Sequence, residues 1–485
     1  MRNTQDVIYD MLIIGGGAAG LMLAAGLTPP ADYMPEDGSP SAGKSNCFRG
    51  LILEKTSRPG TKLLMTGGGR CNITHAGTMK ELLPAYGESG RALRSILYKY
   101  GNLDLLRFLE QQGVRTSTEE DGRVFPASNQ AEEIRQVLLR QAAANGFTIR
   151  TNAEVTGLSQ AGDIWEITAQ ENTARKSAAQ EKFSPVQRQN SVPNRYRARH
   201  VVIACGGASY PQTGSDGSFF RILEEALEIS LVPRKPALTP VRVSDYPYGE
   251  LSGISIPHVR ITAIPQAPTG TASQALGKID VTTQATDKAA RSRDEKKRSI
   301  PASEGALLFA RQELTGPAVL NLSASLSPGD AIRISYLPGH SAEELLGALK
   351  AAAQGSRAEL LALLLQQTSL PRHYLQTVLT RLGLQGKKAS EVSNKEFTAL
   401  AALLTGETFT VREIAGYSRA MLTRGGIPLA ALDPRTMALK KHPGLYAIGE
   451  AVDADGPTGG YNLQLCWSEA RACGADISAK TGFPD

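Results

Sequence analysis

Three glycines near the start of the chain have the spacing of a phosphate-binding turn. Gly15, Gly17 and Gly20 form a GxGxxG pattern. The pattern follows an apolar run, Tyr9 to Ile14, and opens a run of helix-forming residues, 18–27. In such a unit the first glycine permits the tight turn, the second lets the backbone approach a pyrophosphate, and the third lets the helix pack closely on the strand. Since the helix N-terminus adds N–H groups and positive potential, the pattern predicts a dinucleotide site.

A carboxylate at the end of the second predicted strand could bind the sugar of this ligand. The apolar run Leu51 to Glu54 ends in Glu54, which can accept hydrogen bonds from both ribose hydroxyls of an adenosine. Glu54 lies 34 residues beyond Gly20, whereas about 20 is usual. A polar insertion with four prolines, 28–49, explains the excess. Because the carboxylate would repel a 2′-phosphate, the tightly bound cofactor is predicted to be FAD or NAD.

A second glycine cluster decides between these two cofactors in favour of FAD. The segment Lys62 to Asn72 reads KLLMTGGGRCN. Three consecutive glycines let the backbone lie against a flat ring system or a phosphate, and Arg70 can neutralise the charge of the ligand. Cys71 has no CxxC partner, so a small packed residue is expected there rather than a redox thiol.

Further glycine clusters follow predicted buried strands. Val201 to Ala204 leads into CGGASYP at 205–211, and GEAVD at 449–453 follows a similar short strand. The segment GGYNLQ, 459–464, opens a helix from about Asn462. The N–H groups and the dipole of this helix could face the N1/C2=O edge of a flavin, where negative charge develops on reduction.

Composition narrows the class of protein. The 53 basic and 47 acidic residues nearly cancel, which disfavours a dedicated nucleic-acid binder. Five cysteines without CxxC spacing suit a reducing compartment, so a cytoplasmic protein is expected. The apolar stretch Met11 to Leu27 contains five glycines and is too short for a membrane span. None of the six histidines has ligand spacing, so no metal site is predicted, and the oligomeric state is left open.

The order of elements predicts an α/β protein with a discontinuous dinucleotide-binding domain. Short apolar alternations over 238–336 predict an antiparallel β unit, and the Leu/Ala-rich segment 341–404 predicts three or four small helices. A strand and a helix then return near the C-terminus. The predicted domains are 1–235 with 421–485 for the dinucleotide, 236–340 with 405–420 for the β unit and 341–404 for the helical unit, with polar insertions at 28–49, 172–199 and 266–303.

Other local predictions concern helices and loops. Helical apolar spacing covers Arg91 to Gln112 and Ala131 to Asn145, and a short strand is predicted at 164–168. Asn172 to Arg199 is polar and predicts an extended or disordered hairpin loop. The run Arg291 to Arg298 is strongly basic, for which a solvated loop is the preferred interpretation and a nucleic-acid contact the alternative.

Taken together, the motifs GGGAAG, LEK, KLLMTGGGRCN, GRVFPAS, ACGGASYPQTGSDG and GLYAIGEAVDADGPTGGYNLQ resemble the BaiN-like, or YhiN-like, bacterial NAD(P)/FAD-dependent oxidoreductases. The resemblance covers nearly the whole chain apart from the insertions. It implies a glutathione-reductase-type FAD-binding Rossmann-like domain interrupted by a β unit and a small helical unit. The family includes reductases of conjugated enones in bile-acid-like steroids and aminoacetone oxidase family FAD-binding enzymes.

The motifs and the resemblance together predict the residues of the site. Those predicted to contact FAD are Gly15, Gly17, Ala18, Ala19, Gly20, Glu54, Lys55, Lys62, Leu63, Thr66, Gly67, Gly68, Gly69, Arg70, Cys71, Asn72, Val155, Ala204, Cys205, Gly206, Gly207, Gly449, Glu450, Gly460, Tyr461, Asn462, Leu463 and Gln464. Those predicted to take part in catalysis are Arg70, His75, Tyr461 and Arg311.

Two positions depart from the pattern of the resembled family. The family commonly has Phe-Thr-His where this chain has Phe309-Ala310-Arg311. A guanidinium can fix an anion but cannot cycle a proton near pH 7, so the exchange bears on substrate and rate. Cys205 stands where a threonine is commoner. FAD binding is expected to survive both changes.

The predicted reaction passes a hydride from transiently bound NADH or NADPH through the flavin N5 to an unsaturated, enone-like or imine-like small molecule. An amine oxidase that uses O2 fits the same residues, and peroxide formation without NAD(P)H would favour it. A tRNA-modifying flavoprotein would show salt-dependent tRNA binding. A flavin redox sensor would be reduced without multiple turnovers.

Overall fold

The computed structural model describes residues 7–27, 48–171, 193–264 and 301–481. The chain divides into two compact units, Met1–Ala237 with Gly416–Asp485 and Leu238–Ala415. Most of each predicted insertion, including the basic run Arg291 to Arg298, lies outside the described residues. The predicted division into three domains stays a prediction. No helix within the described ranges is long and apolar enough to cross a membrane.

Helices and strands alternate through the first unit and separate into a strand-rich and a helix-rich part in the second. The helices are α1 Ala18–Gly26, α2 Met79–Leu82, α3 Gly87–Ala92, α4 Arg94–Lys99, α5 Asn102–Gln111, α6 Ala131–Ala144, α7 Phe219–Leu227, α8 Pro317–Ser323, α9 Ala342–Ala353, α10 Leu360–Gln367, α11 Arg372–Arg381, α12 Asn394–Gly406 and α13 Tyr461–Thr481. The strands are β1 Ile8–Ile14, β2 Gly50–Leu53, β3 Thr74–His75, β4 Thr116–Thr118, β5 Arg123–Pro126, β6 Phe147–Arg150, β7 Ala153–Ala161, β8 Ile164–Glu171, β9 Asn194–Ile203, β10 Val232–Ala237, β11 Val241–Val243, β12 Ser255–Ile264, β13 Ala302–Phe309, β14 Leu314–Thr315, β15 Ala331–Ser335, β16 Glu407–Ile414, β17 Leu422–Gly426 and β18 Leu445–Ala447.

The first unit is built on a mixed sheet with β1 at its centre. The order is β6-β2-β1-β9-β8-β7, and β18 also pairs with β9. Strands β6, β2, β1, β9 and β18 are parallel, while β7 and β8 form an antiparallel hairpin beside them. In register, Leu12 of β1 lies opposite Leu51 on one side and Val201 on the other, and all three are fully buried. This is the α/β Rossmann-type arrangement that the sequence predicts.

Helix α1 is buried on almost all sides because it lies in the interior of the first unit. Every residue from Ala19 to Gly26 is buried, and the helix packs against α6 and α13. Its composition of alanine, leucine, methionine and glycine fits this position, since a helix that is apolar all round belongs in a core. The packing fixes the N-terminus of α1 at the carboxyl ends of the parallel strands, where open α/β sheets bind their ligands.

Two local predictions are wrong. The segment Arg91 to Gln112 is not one helix but α3, α4 and α5, because Leu93 and Tyr100 leave the helical conformation and Gly101 is the N-cap of α5. The predicted loop Asn172 to Arg199 overlaps β9, which begins at Asn194. Its polar residues pair with β8, so strand pairing outweighs the polar composition there.

The second unit contains a closed barrel with the strand order β11-β14-β13-β12-β15-β16. This is the predicted antiparallel β unit, and the Leu/Ala-rich segment forms α9 to α12 beside it within the unit. The carboxylate of buried Glu407 ties the two parts together. It accepts hydrogen bonds from the hydroxyls of Tyr248, at 2.5 Å, and Tyr336, at 2.6 Å, and from Arg381 of α11, at 2.8 Å. These three donors compensate the negative charge of Glu407, as the burial of a carboxylate requires.

Candidate FAD site

The glycine turn after β1 has one open position between two crowded ones. A Cβ on Gly15 would lie 2.4 Å from Ala204 O, and one on Gly20 would lie 2.1 Å from Gly15 O. These two glycines are therefore required by contacts within the protein. A Cβ on Gly17 would meet no atom within 4 Å. Gly17 caps α1 without any side-chain hydrogen bond, so the first N–H groups of the helix face open space. This is the cradle that a pyrophosphate fits.

Glu54 lies beside this turn and keeps one free position for accepting a hydrogen bond. Its Oε2 accepts from Gly16 N at 2.8 Å, and its Oε1 accepts from the N and the Oγ1 of Thr56, both at 2.7 Å. An ionised carboxylate offers about four acceptor positions, so these bonds leave one for a ribose hydroxyl. Lys55, predicted to contact FAD, is engaged by Asp216 at 2.6 Å and Glu154 at 2.8 Å.

The triple glycine forms a left-handed loop with an open outer side. Gly67, Gly68 and Gly69 have φ of 58°, 69° and 90°, which side chains rarely adopt. A Cβ on Gly68 would meet no atom within 4 Å. Cys71, which ends the loop, also has a positive φ of 63° and is fully buried. Burial raises the pKa of its thiol to about 12, so Cys71 is a packed residue without thiolate chemistry at neutral pH.

Arg70 is held beside this loop by an acidic and an aromatic partner. Its Nη1 lies 2.7 Å from Glu119 Oε1, and its guanidinium carbon lies 4.0 Å from the centre of the Phe125 ring. Arg123 Nη2 binds the other oxygen of Glu119 at 2.7 Å. Glu119 thus joins two guanidinium groups on the β3-β5-β4 sheet. This arrangement positions cationic groups beside the open glycines, although the carboxylate of Glu119 partly neutralises their positive charge.

Hydrogen bonds from the side chains of three predicted residues, Asn72, Asn462 and Gln464, hold the start of α13 in position. With its amide oriented to match its neighbours, Asn72 donates to Thr74 O at 3.0 Å and accepts from Gly460 N at 3.0 Å. Gln464 is buried and accepts from Thr74 Oγ1 at 2.8 Å. Asn462 spans its own loop through Gly456 N and O, both at 2.9 Å. These side chains form their hydrogen bonds within the protein, so contacts between FAD and the start of α13 would come from backbone atoms.

Glu450 is the centre of a partly buried polar cluster at the carboxyl end of β18. It accepts hydrogen bonds from Lys62 Nζ, from Ser209 Oγ and, at 2.8 Å, from Thr423 N. Ser209 is fully buried and Thr423 nearly so. The cluster draws together the Lys62 segment, the loop after β9, strand β17 and the loop after β18. Three of about four acceptor positions of Glu450 are filled, and one remains for a ligand hydroxyl.

The rings of His75 and Tyr461 pack against each other, tilted, at the N-terminus of α13. Their ring centres lie 5.1 Å apart with an interplanar angle of 32°, and the hydroxyl of Tyr86 donates to Tyr461 O at 2.9 Å. His75 Nδ1 lies 2.8 Å from Ala76 O, so Nδ1 carries a proton and Nε2 is the free nitrogen. Burial raises the pKa of the Tyr461 hydroxyl, which keeps it protonated at neutral pH.

The remaining predicted residues are distributed over the same unit, with one exception. Val155 is buried on β7, Ala204 is packed beside Gly15, and Leu463 is buried on α13. Cys205 follows Ala204, and burial raises the pKa of its thiol to about 12. Arg311 lies in the second unit, exposed between β13 and β14, and its catalytic role stays a prediction.

Several residues of the site are not among those predicted from the sequence. Ser209 lies within the quoted ACGGASYP motif, so its position after a buried strand could have marked it. Phe125 likewise lies within the quoted GRVFPAS motif, whereas Thr423 and Glu119 carry no such signal, because only the fold brings them to Glu450 and Arg70. Glu469 is a carboxylate in the middle of buried α13, an unusual residue for that environment.

The residues present fit FAD. The open Gly17 and Gly68 positions leave space for a pyrophosphate and a flat ring, and Glu54 and Glu450 each keep an acceptor position for a hydroxyl. No group of three or more metal-ligating side chains occurs within the described ranges.

Comparisons with known proteins find matches over nearly the whole chain. The family described as the HI0933-like protein Rossmann domain matches residues 9–476. The chain is 28% identical over 473 residues to the ribosomal RNA dihydrouridine synthase of Haemophilus influenzae, covering 97% of this chain and 98% of that protein. The Escherichia coli protein of the same name is 28% identical over 485 residues, with the same coverage. The 3-dehydro-bile acid delta(4,6)-reductase of Clostridium scindens is 24% identical over 475 residues, covering 95% of this chain and 97% of that protein.

Fold and site define a Rossmann-type flavoprotein of the FAD-dependent oxidoreductase class. The chain belongs to the HI0933-like Rossmann domain family, which confirms the resemblance drawn from its motifs.

Replacing Arg70 with alanine is expected to weaken FAD binding by about 1.5 to 3 kcal/mol, the range for a hydrogen bond to a charged group. The change removes a cation beside the open glycine loop and leaves Glu119 with Arg123 as its remaining guanidinium partner. Fluorescence titration of the apoprotein with FAD measures the effect. Arg140→Ala, at an exposed position of α6, serves as the control. Equal FAD affinity of Arg70→Ala and the wild type would remove Arg70 from the cofactor site.

Proposed function

We propose that this protein is an FAD-dependent reductase of a carbon–carbon double bond conjugated to a carbonyl group, with NADH or NADPH as the hydride source. Its substrate is a uridine base in ribosomal RNA. The observation that carries the proposal is the pair of openings at Gly17 and Gly68, together with a protonated tyrosine, Tyr461, at the N-terminus of α13. Similarity over nearly the whole chain to two ribosomal RNA dihydrouridine synthases supports the choice of substrate.

The uracil ring has the same reactive group as the enones predicted from the sequence. Its C5=C6 bond is conjugated to the C4 carbonyl, so C6 is the electrophilic carbon. The balanced reaction is uridine + NAD(P)H + H⁺ → 5,6-dihydrouridine + NAD(P)⁺. Hydride adds to C6 and a proton adds to C5. Bound FAD would supply the hydride-transfer chemistry.

The chain's own residues would hold the base and supply the proton. Tyr461 is the candidate proton donor, because its hydroxyl carries a proton at neutral pH. The Nδ1 of His75 is held by Ala76 O, which leaves Nε2 as its free nitrogen. The His75 ring packs against Tyr461 and helps to fix the position of that ring. Arg70 and Arg123 add positive charge beside the glycine loop, which suits a polyanionic substrate.

The test begins with anaerobic addition of NADH and then NADPH to the purified holoprotein. Bleaching of the flavin absorbance is expected with at least one of them. The reduced protein is then mixed with ribosomal RNA transcribed in vitro, and dihydrouridine is measured by mass spectrometry of the digested RNA. A flavin that stays oxidised with both nucleotides but is reduced by an amine, with peroxide formed in air, would overturn the reductase proposal in favour of an oxidase.

A second candidate is reduction of a small enone, favoured by the similarity to the bile acid reductase. The chemistry of the site would be the same, since an enone also takes hydride at its β carbon and a proton at its α carbon. A 3-keto-4-ene steroid as a parallel substrate separates the two candidates. Turnover of the steroid without dihydrouridine formation would identify the small molecule as the substrate and overturn the RNA assignment.

A further inference from the structure

The short helices α3 and α4 carry a basic and aromatic face in the first unit. Arg94 and Tyr98 lie four residues apart on one side of α4, and Arg91 lies in the last turn of α3, three residues before Arg94. All three are exposed, Arg91 with 78% of its side chain and Tyr98 with 48% of its surface accessible. The opposite side is formed by Leu93 and Leu97, which are fully buried. We call Arg91, Arg94 and Tyr98 the Arg-Tyr face.

The charges of this face are little neutralised by the protein. Arg91 approaches Glu88 at 3.5 Å, but the side chain of Glu88 is 96% exposed, and such surface pairs contribute little. Among the described residues, Arg94 has no carboxylate at ion-pair distance; its guanidinium carbon lies 5.5 Å from the centre of the Tyr98 ring. An arginine beside an exposed aromatic ring leaves both a cation and a flat apolar surface available to a ligand.

The face is fixed to the candidate active site by buried hydrogen bonds. Tyr100, directly after α4, accepts through its carbonyl from Gln464 Nε2 at 3.1 Å and from Ser468 Oγ at 2.7 Å, both on α13. Asn102 donates to the carbonyl of His75 at 2.9 Å. The end of α4 therefore moves with the helix that begins at Tyr461 and with the strand that carries His75.

We propose that the Arg-Tyr face is the RNA-docking surface of this protein. The inference rests on the proposed function and names how that substrate is held. Arginine contacts to phosphates position an RNA without reading its sequence, and an exposed tyrosine stacks on an unpaired base. A uracil ring can be reduced only when it is out of its stack, so the substrate is a single-stranded or looped segment. A neighbouring nucleotide stacks on Tyr98 while the backbone lies along Arg91 and Arg94.

The experiment measures binding of the FAD-loaded protein to ribosomal RNA transcribed in vitro over a series of salt concentrations. In Arg91→Glu/Arg94→Glu, affinity is expected to fall by roughly tenfold or more, and the slope of log affinity against log salt is expected to fall by about 2. The matched control, Arg140→Glu/Arg357→Glu, has the same change of net charge at exposed arginines elsewhere. It is expected to bind as the wild type does.

A second pair of variants tests the contribution of the Tyr98 ring to RNA binding. Tyr98→Ala is expected to lose roughly fivefold or more in affinity, whereas Tyr98→Phe keeps the stacking surface and binds normally. FAD content and the rate of flavin reduction by NAD(P)H report folding, and should equal those of the wild type in every variant because no altered side chain lies in the cofactor site.

The outcomes separate failure of this inference from failure of the proposed function. Dihydrouridine formation and RNA affinity that are equal in the wild type and in Arg91→Glu/Arg94→Glu would overturn the docking surface and leave the function standing. A wild type that binds no ribosomal RNA and forms no dihydrouridine would overturn both. Loss of binding in the matched control as well would assign the effect to net charge and overturn the surface.

Discussion

Replacing Gly17 with valine is expected to give a protein that folds and purifies without FAD. The Cβ position of Gly17 has no protein atom within 4 Å, so the apoprotein has room there for the start of a side chain. It occupies the space over the N-terminus of α1 that a pyrophosphate would need. We expect FAD affinity to fall by at least roughly a hundredfold, or about 2.7 kcal/mol. The measurements are the flavin content of the purified variant and its FAD titration.

The neighbouring Gly20 provides the matched control for this prediction. A Cβ there would lie 2.1 Å from Gly15 O, so Gly20→Val is expected to destabilise the fold itself. Circular dichroism and thermal unfolding of the apoproteins distinguish the two effects. The Gly17 variant should unfold at the temperature of the wild-type apoprotein, and the Gly20 variant well below it. A yellow Gly17→Val protein with a full complement of FAD would contradict the position of the pyrophosphate.

The nucleotide-binding half of the site could be predicted because its signals are local. The strand, the GxGxxG turn and α1 occupy consecutive residues; Gly15 and Gly20 are explained by backbone contacts, and Gly17 by the open space beside it. Glu54 could be predicted as well, since it ends the next strand of the sheet. The fold class followed from the same local units arranged in order along the chain, and it is confirmed.

The rest of the site depends on contacts between distant segments, which spacing does not encode. Lys62 and Thr423 meet at Glu450 only because the last part of the chain returns to the first sheet. Likewise, the side chain of Gln464, a residue predicted to contact FAD, accepts a hydrogen bond from Thr74, and its spacing gives no sign of that partner. Helical apolar spacing over 91–112 gave no sign of the breaks at Leu93 and Tyr100, because the periodicity continues across both.

Glu469 places an uncompensated carboxyl group in the core beneath the candidate site. It is fully buried on α13, its Oε2 accepts from Gly449 N at 2.6 Å, and its Oε1 has no hydrogen-bond partner. Burial raises the pKa of this carboxyl from 4.5 to about 8, since the single backbone hydrogen bond offsets little of the cost of desolvating the charge. At neutral pH the side chain is therefore protonated in the folded protein and would be ionised in the unfolded chain.

The consequence is a stability that falls as pH rises. Because the folded state binds the extra proton, the contribution of Glu469 is fully present below about pH 4.5 and is lost as the pH rises towards 8. A shift of this size corresponds to about 4 to 5 kcal/mol across the window. Glu469→Gln keeps an oxygen for Gly449 N and cannot ionise. We expect the free energy of unfolding of the wild type, relative to this variant, to decrease by that amount between pH 5 and pH 9.

Chemical denaturation of the apoproteins at several pH values measures this difference. Glu359→Gln, which alters an exposed carboxylate, is the control and should run parallel to the wild type. Parallel curves for the wild type and Glu469→Gln would mean that the carboxyl group titrates normally and that its unpaired oxygen is solvated. A growing advantage of the glutamine variant above pH 6 would instead mean that the N–H of Gly449, at the candidate FAD loop, is held by a neutral carboxyl group.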